Sequence, residues 1–238
     1  MFIEIKNLSK IYNKYLAVDK INFHLDKDKT IGLLGPNGCG KTTTIGMILG
    51  LLKPSNGKIL IDGIEIENNR VELLENLNFI SPYIELPKKL KVKQNLIVYG
   101  KLYNIQNLND RIDHLANKLR LTNLLNKITG ELSSGQKNRV SLAKALINDP
   151  TVLLLDEPTA SLDPETGDFV RSFLEDYKKE KKISVLLASH NMEEVKRLCS
   201  SVLMMKDGLI VDRGTPEDLI TKYGRKNLEE VFLEIARK

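Results

Sequence analysis

Residues 30–49 read TIGLLGPNGCGKTTTIGMIL, and this stretch decides the fold. An apolar strand pattern at Thr30–Leu34 leads into the pattern G-x-x-x-x-G-K-T at Gly35–Thr42, and a helix-like run follows from Thr43. A strand, a glycine-rich loop and a helix in this order are the context that a Walker A phosphate-binding loop requires. The alternative is a glycine-rich turn that only joins a strand to a helix. Eight residues in register, with the right flanks, favour the phosphate-binding loop.

The residue types of this loop suit a bound triphosphate. Its glycines let backbone N–H groups approach the phosphates, and the following helix adds partial positive charge at its N-terminus. We predict that Lys41 reaches the β- and γ-phosphates and that the Thr42 hydroxyl ligates Mg²⁺, which takes few protein ligands. The nucleotide contacts predicted for the loop are Gly35, Asn37, Gly38, Cys39, Gly40, Lys41, Thr42 and Thr43.

The thiol of Cys39 lies in this loop, near a helix N-terminus and beside Lys41. Both features favour the thiolate, so we expect the pKa of Cys39 to be lowered. The alternative is that Cys39 is a small residue that fills an alanine-sized space.

A second predicted strand ends in two carboxylates. Residues 151–158 read TVLLLDEP, in which four apolar residues precede Asp156 and Glu157, as in a buried parallel strand. Ligands of such sheets lie beyond the carboxyl ends of the strands. We predict that Asp156 holds Mg²⁺, directly or through water, and that Glu157 polarises the attacking water. An acidic loop after a core strand is the alternative, and the Walker A loop upstream makes it the weaker interpretation.

The order of the motifs resembles that of an ATP-binding subunit of ABC transporters, and the resemblance covers nearly the whole chain. Leu132–Gln136 reads LSSGQ and resembles the LSGGQ signature of that family. Ser161 and Asp163, in the run Ser161-Leu162-Asp163, resemble the D-loop that lies across the dimer seam. His190 follows the apolar strand pattern at 183–188 and matches the family's switch histidine, which touches the γ-phosphate. The alternative is an ordinary hydrogen-bonding histidine after a strand. The predicted catalytic residues are Glu157, His190 and Lys41.

The resemblance implies that the signature acts in trans. The residues concerned are Ser133, Ser134, Gly135 and Gln136, of which Ser133 and Gly135 would reach the γ-phosphate of the partner subunit's nucleotide. Ser133 is also a good N-cap for the helix predicted over Gln136–Ile147, and both roles can hold together. Ser134 departs from the usual glycine, but a serine leaves room for a phosphate.

Two further positions carry the resemblance or depart from it. Tyr12 matches the aromatic residue that stacks on adenine, with core packing near a sheet edge as the alternative. After the strand pattern at Leu77–Ile80 the family usually has a glutamine that contacts Mg²⁺ and water, whereas this chain reads Ser81-Pro82-Tyr83. Gln94 is the nearest glutamine but falls inside the following helical run. Ser81 is therefore the best candidate to replace the missing side chain.

These patterns predict an α/β fold: a P-loop NTPase core with a mostly parallel sheet, an antiparallel β subdomain and an inserted α-helical subdomain. We expect residues 1–238 to form a single ATP-binding domain. The helical subdomain should span about 85–130, where apolar residues recur at helical spacing. A helical tail should occupy about 215–238.

The composition limits the partners. The net charge is +5, but the basic residues are spread along the chain without a basic-aromatic pattern, so we predict no specific nucleic-acid partner. No apolar run approaches the roughly 18 residues of a membrane span. Two cysteines, Cys39 and Cys199, show neither a disulfide framework nor metal-ligand spacing. We expect a cytoplasmic protein, held at the inner face of the cell membrane by a separate multi-span subunit.

The resemblance predicts an ATPase that binds ATP and Mg²⁺, forms a homodimer on ATP binding, and drives a membrane transporter. The tail, from Gly214 to Leu233, resembles that of bacterial drug-export and self-immunity ATPases, which favours export. The alternative is a non-transport ABC ATPase acting on ribosomes or DNA, whose members generally carry two cassettes or long coiled-coil insertions. An ordinary P-loop kinase or GTPase would not explain Leu132–Gln136. A catalytically dead regulator would not retain Lys41, Asp156, Glu157 and His190.

Overall fold

The computed structural model describes residues 2–82 and 84–237, so Tyr83 of the predicted Ser81-Pro82-Tyr83 departure lies outside the described residues. The strands, in chain order, are β1 (Ile3–Tyr12), β2 (Tyr15–Leu25), β3 (Thr30–Leu34), β4 (Asn56–Ile61), β5 (Ile64–Glu65), β6 (Leu77–Ile80), β7 (Val152–Asp156), β8 (Ser184–Ala188), β9 (Ser201–Lys206) and β10 (Leu209–Gly214). The α-helices are α1 (Lys41–Ile48), α2 (Arg70–Leu74), α3 (Val92–Leu102), α4 (Leu108–Lys118), α5 (Ser134–Ala145), α6 (Pro164–Lys181), α7 (Met192–Leu198), α8 (Pro216–Tyr223) and α9 (Leu228–Arg237). Short 3₁₀ turns occupy Thr122–Leu124 and Thr129–Glu131.

A mostly parallel sheet forms the centre of the fold. Within the described residues it has six strands in the order β10-β9-β3-β8-β7-β6, and only the β9–β10 pair is antiparallel. Strands β3, β7 and β8 are buried at every residue, as expected for parallel strands covered on both faces. Their carboxyl ends lie at one edge of the sheet. The predicted α/β fold with a mostly parallel sheet is confirmed.

The second sheet is antiparallel, with the order β2-β1-β4-β5 in the part of the chain that is described. Its β1–β2 hairpin ends with Tyr12 paired to Tyr15. The backbone of β2 also reaches the Walker A loop, because a Cβ placed on Gly40 would lie 2.6 Å from the carbonyl oxygen of Ala17. The antiparallel sheet therefore forms one wall beside the phosphate-binding loop.

The alternation of side chains along the central strands divides the core into two clusters. Leu33 and Leu154 face the cluster that contains α1 and the antiparallel sheet. Their neighbours Leu34 and Leu155 face the cluster built from α3 to α7 and the C-terminal helices. Because successive residues of a strand point to opposite faces, each strand contributes to both clusters.

Helix α5 begins two residues earlier than predicted and ends two residues earlier. The expected range was Gln136–Ile147, whereas the helix spans Ser134–Ala145. Ser133 determines this start, because its Oγ accepts a hydrogen bond from the Gln136 backbone N–H at 3.3 Å. The Gln136 side-chain Oε1 in turn accepts from the Ser133 N–H at 3.1 Å, which completes a capping box.

A lysine of α5 is buried against strand β6. Lys144 Nζ donates to the carbonyl oxygen of Phe79 at 3.1 Å and to Asn78 Oδ1 at 3.4 Å, and lies 4.5 Å from the centre of the Phe79 ring. No carboxylate among the described residues forms an ion pair with Lys144. Burial therefore lowers the pKa of Lys144 to about 8.

We expect Lys144 to make the stability of the protein depend on pH in the alkaline range. Between about pH 8 and pH 10.5 the unfolded chain binds more protons at this site than the folded chain, so the free energy of unfolding should rise with pH. At about 1.4 kcal/mol per pKa unit, a difference of about 2.5 units between the two pKa values gives a rise of roughly 3–4 kcal/mol. Lys144→Met should remove it. Urea unfolding of both proteins across this range measures the difference, and parallel curves would contradict the assignment.

Candidate nucleotide site

Three loops, with Pro82 of the segment after β6 beside them, meet at the carboxyl edge of the parallel sheet and line a cleft of about 370 Å³. They follow β3, β7 and β8, and together they supply most of the predicted site residues. The cleft is lined by Asn37, Gly38, Gly40, Lys41, Thr42, Thr43, Pro82, Asp156, Glu157, Ala160 and His190. Gly35 and Cys39, which were also predicted to contact nucleotide, lie in the same loop but do not line the cleft.

The Lys41 side chain is held at the centre of the phosphate-binding loop. Its Nζ donates hydrogen bonds to the carbonyl oxygens of Gly35 at 2.6 Å and Pro36 at 3.0 Å. Gly40, with φ 108°, precedes the helix in a left-handed conformation that favours glycine. The loop thus places an ammonium group and a helix N-terminus at one end of the cleft, an arrangement that favours a bound anion.

Asp156 lies opposite, and its carboxylate accepts hydrogen bonds from two hydroxyls. Thr42 Oγ1 donates to Oδ2 at 3.1 Å, and Ser81 Oγ donates to the same oxygen at 3.4 Å. Burial raises the pKa of Asp156, while the Thr42 hydrogen bond opposes that shift. Carboxylate and hydroxyl oxygens are hard donors of the kind that Mg²⁺ prefers, so this group of residues fits a magnesium ion.

Ser81, rather than Gln94, reaches this group. Gln94 lies in the first turn of α3, and its Oε1 accepts a hydrogen bond from the Lys91 backbone N–H at 2.9 Å. Its side-chain oxygen is therefore used at the start of the helix. The contact between Ser81 and Asp156 supports the register proposed for this loop from the sequence.

Glu157 and His190 form a close pair at the same edge. His190 Nδ1 lies 2.7 Å from Glu157 Oε2, and the His190 backbone N–H donates to that oxygen at 3.4 Å. Because a carboxylate only accepts hydrogen bonds, Nδ1 carries the proton. Glu157 has φ 51°, and its N–H donates to the carbonyl oxygen of Ala188 at 2.8 Å. Such a backbone conformation costs of order 1–3 kcal/mol at a residue other than glycine, which is typical of functional sites.

The signature and D-loop residues do not line this cleft. The start of α5 packs against the start of α6, where a Cβ on Gly135 would lie 3.0 Å from the Thr166 methyl group. Asp163 caps α6, with its Oδ1 accepting from the Thr166 N–H at 3.0 Å. Ser161 has φ 62° in the same loop. Ser134 and Gln136 line two other depressions of the surface. The two motifs therefore lie beside each other at the starts of α5 and α6, and neither lines the cleft next to the phosphate-binding loop.

Tyr12 lies at the end of the β1–β2 hairpin and is 40% exposed, which rules out the alternative of core packing. Lys10 Nζ lies 5.1 Å from the centre of its ring. The paired residue, Tyr15, was not singled out from the sequence, yet its hydroxyl donates to the carbonyl oxygen of Gly38 at 3.4 Å. A second aromatic residue just across a two-residue turn was the signal that could have identified Tyr15.

The expected lowering of the Cys39 pKa is wrong. Cys39 is only 3% exposed, and burial raises the pKa of its thiol, while the charge of Lys41 opposes this shift and is the smaller effect. Lys41 Nζ lies 3.9 Å from Sγ and donates its short hydrogen bonds to loop carbonyls instead. A Cβ on Gly35 would lie 2.6 Å from Cys39 Sγ, so the cysteine fills a small enclosed space.

Comparison with known proteins agrees with this geometry. The family model described as "ABC transporter" matches residues 18–160. The chain belongs to the ABC transporter family and is its ATP-binding, ATP-hydrolysing component. It is 34% identical over 220 residues to the ABC transporter ATP-binding protein NatA of Bacillus subtilis (strain 168), covering 91% of this chain and 89% of that protein. It is 31% identical to the Nod factor export ATP-binding protein I of Cupriavidus metallidurans, covering 97% and 76% respectively.

Solved structures share the fold over nearly the full length. The structure of an ATP-binding subunit of an ABC transporter superimposes with a TM-score of 0.89 at 26% identity and covers 99% of both chains. A dimeric structure of MJ0796, a bacterial ABC transporter cassette, gives a TM-score of 0.83 at 25% identity and covers 90% of this chain and 98% of that one.

We expect Tyr12 and Tyr15 to differ in their effect on ATP affinity. Tyr12→Ala should raise the Kd for ATP at least about fivefold, because stacking on a base contributes roughly 1–3 kcal/mol. Tyr15→Phe removes only an exposed, long hydrogen bond and should change the Kd less than about threefold. Titration with a fluorescent ATP analogue measures both. A loss of affinity in Tyr15→Ala, with Tyr12→Ala unaffected, would make Tyr15 the base platform instead.

Proposed function

We propose that this chain is the energy subunit of a membrane exporter, and that it hydrolyses Mg-ATP at the interface of a head-to-tail dimer. The observation that carries the proposal is the Glu157–His190 pair, which lies 2.7 Å apart in the same cleft as the phosphate-binding loop. ATP hydrolysis would drive a conformational change in a separate membrane subunit.

The residues of the cleft divide the work of phosphoryl transfer. Lys41 and the loop N–H groups bind and orient the phosphates, which accounts for much of catalysis in this reaction class. Thr42 and Asp156 would hold Mg²⁺, with Ser81 beside them, and the metal would neutralise charge on the phosphate oxygens. Glu157 accepts a proton from the attacking water as general base. His190 holds the Glu157 carboxylate in place and faces the position of the γ-phosphate.

The position of the signature supports a dimeric site. Ser133 and Gly135 do not reach the cleft of their own chain, so a second copy related by a two-fold axis would supply them. Ser161 and Asp163 adjoin the signature and would lie at the seam. The dimeric structure of MJ0796 is consistent with such an assembly.

Association with a membrane would occur through another protein. Within residues 2–82 and 84–237, none of the helices combines the length and the apolar composition of a membrane span. An apolar cavity of about 210 Å³ adjoins Glu157, between the segment after β6 and helix α5, and offers a surface through which a membrane subunit could sense the site. The name of the Nod factor export relative favours export. A location at the cytoplasmic face of the membrane, held there by the membrane subunit, is part of the same proposal.

The proposed organisation is a single ATP-binding domain with an inserted helical subdomain at about 85–130 and a helical tail at about 215–238. Helices α3 and α4 lie within the first segment, and α8 and α9 lie within the second. Nothing in the described residues favours the alternative of an ABC ATPase acting on ribosomes or DNA. Purification from detergent should therefore recover a multi-span membrane protein with this chain.

Glu157→Gln tests the chemistry and the assembly together. The substitution keeps the shape but removes the basic carboxylate, so hydrolysis should fall at least ~100-fold while ATP still binds. The protein should then dimerise with Mg-ATP, whereas the nucleotide-free protein should be largely monomeric by sedimentation. Lys41→Ala is the control and should weaken ATP binding itself. Full activity of Glu157→Gln would exclude Glu157 as the base, and a monomer at saturating ATP would contradict the dimeric site.

Ser81→Ala and Gln94→Ala compare the two candidates for the missing glutamine. Ser81→Ala should leave ATP affinity within about threefold, or roughly 0.7 kcal/mol, because phosphate binding rests mainly on the loop. It should lower the stimulation of hydrolysis by the membrane subunit, since the Ser81 hydroxyl touches Asp156. Gln94→Ala should do neither beyond a small helix effect. ATPase assays of the three proteins, alone and with the membrane subunit, measure both effects. If Gln94→Ala abolished the stimulated hydrolysis while Ser81→Ala had no effect, the register proposed for the loop after β6 would be wrong.

A further inference from the structure

A buried carboxyl is hydrogen-bonded to the residue that precedes His190. Glu194 lies in the first turn of α7 and is 0% exposed. Its Oε2 accepts a hydrogen bond from Ser189 Oγ at 2.6 Å. Its other oxygen, Oε1, is buried and has no hydrogen-bond donor in the described part of the chain. The position of this carboxyl therefore depends chiefly on the Ser189 hydroxyl.

Burial of the Glu194 carboxyl makes its charged form energetically costly. Burial raises the pKa of its carboxyl, and the negative charge of Glu157 raises it further. The hydroxyls of Ser189 and Thr159 and the guanidinium of Arg171 lower it in part. A buried acid close to a catalytic group is the kind of residue that functional sites retain despite its effect on stability.

The contacts of Glu194 connect two loops of the site. On one side, Ser189 Oγ donates to Glu194 and accepts from the Asn191 N–H at 3.0 Å, so both hydrogen-bonding functions of the hydroxyl are used. On the other side lies Thr159, a buried residue of the loop that follows β7.

The same two loops also meet at the cleft itself. Glu157, on the loop after β7, contacts His190, on the loop after β8, at 2.7 Å. The loops thus meet twice, once through this pair at the cleft and once in the interior, where Glu194 lies near Thr159.

We propose that Glu194 is a positioning residue for ATP hydrolysis. Its buried carboxylate holds the loop that carries His190 in register with the loop that carries Glu157. The inference rests on the roles proposed for those two residues. Glu194 touches no reacting group itself, and it acts through its hydrogen bond to the Ser189 hydroxyl and its proximity to Thr159. Loss of the side-chain oxygen that accepts from Ser189 should therefore lower kcat while leaving the phosphate-binding loop, and hence ATP affinity, nearly unchanged.

The test compares kcat and the Kd for ATP in a set of matched variants. We expect Glu194→Ala to lower kcat at least tenfold with the Kd within threefold. Ser189→Ala should lower kcat to a similar degree, and the double variant should be no slower than the slower single variant, because both remove one contact. Glu194→Gln retains an oxygen that accepts from Ser189 and should stay within about threefold of the wild-type kcat.

Val195→Ala is the structural control. Val195 is the next residue of α7 and is equally buried, but its side chain cannot hydrogen-bond to either loop. It should lower the melting temperature and leave kcat within about threefold. A normal kcat in Glu194→Ala, an equal loss in Val195→Ala, or a Glu194→Gln variant as slow as Glu194→Ala would each overturn the inference. If Glu194→Ala does not fold, the comparison of Ser189→Ala with Val195→Ala decides it.

The proposed function and this inference can fail separately. If Glu157→Gln is inactive and Glu194→Ala is normal, only the positioning role is excluded. If Glu157→Gln retains full activity, the proposed general base is wrong, whatever the Glu194 variants show.

Discussion

The site depends on three adjacent parallel strands that are buried along their whole length. Strands β3, β8 and β7 pair in register, with Leu33 and Asp156 both opposite Ala188. Their backbone polar groups must be satisfied inside the sheet, because no water reaches them. The loops that follow therefore leave the sheet at one level and bring the phosphate-binding loop, the two acids and His190 to one cleft. A one-residue slip of β7 would turn Asp156 to the other face and dismantle the site.

The charges at this edge are held mainly by neutral groups. Lys41 donates to carbonyl oxygens, Asp156 accepts from two hydroxyls, and Glu194 accepts from the hydroxyl of Ser189. A charged group that is held by a hydroxyl or a carbonyl can exchange that partner for a phosphate oxygen, a metal ion or a water. The exchange costs less than it would for a group held by an opposite charge, because breaking a buried ion pair leaves an uncompensated charge. The arrangement keeps each charge in place while leaving Lys41 and Asp156 able to bind a ligand.

The sequence was sufficient for features that depend on local order and insufficient for those that depend on burial. The strand, loop and helix around Lys41 are contiguous in the chain, which is why the fold class could be predicted. The Cys39 pKa could not, because desolvation competes with the nearby charge and only the folded structure decides between them. Tyr15 contacts Gly38 only after the hairpin has folded onto the loop. Glu194 reads as an ordinary acid in the first turn of a helix, and its burial becomes evident only when the α7 face is packed.

The caps of α5 and α6 bear on how the signature and D-loop would meet a partner subunit. Ser133 uses an oxygen lone pair to accept from the Gln136 N–H, which leaves its hydroxyl hydrogen able to donate to a phosphate. Capping and phosphate binding therefore use different parts of the same hydroxyl and do not compete. Asp163 has no such hydrogen when ionised, and its cap to Thr166 uses one of two oxygens. Asp163 would have to meet a hydrogen-bond donor of the partner subunit rather than a phosphate. The signature and the D-loop would therefore contact different kinds of group across the seam, although the starts of α5 and α6 lie beside each other.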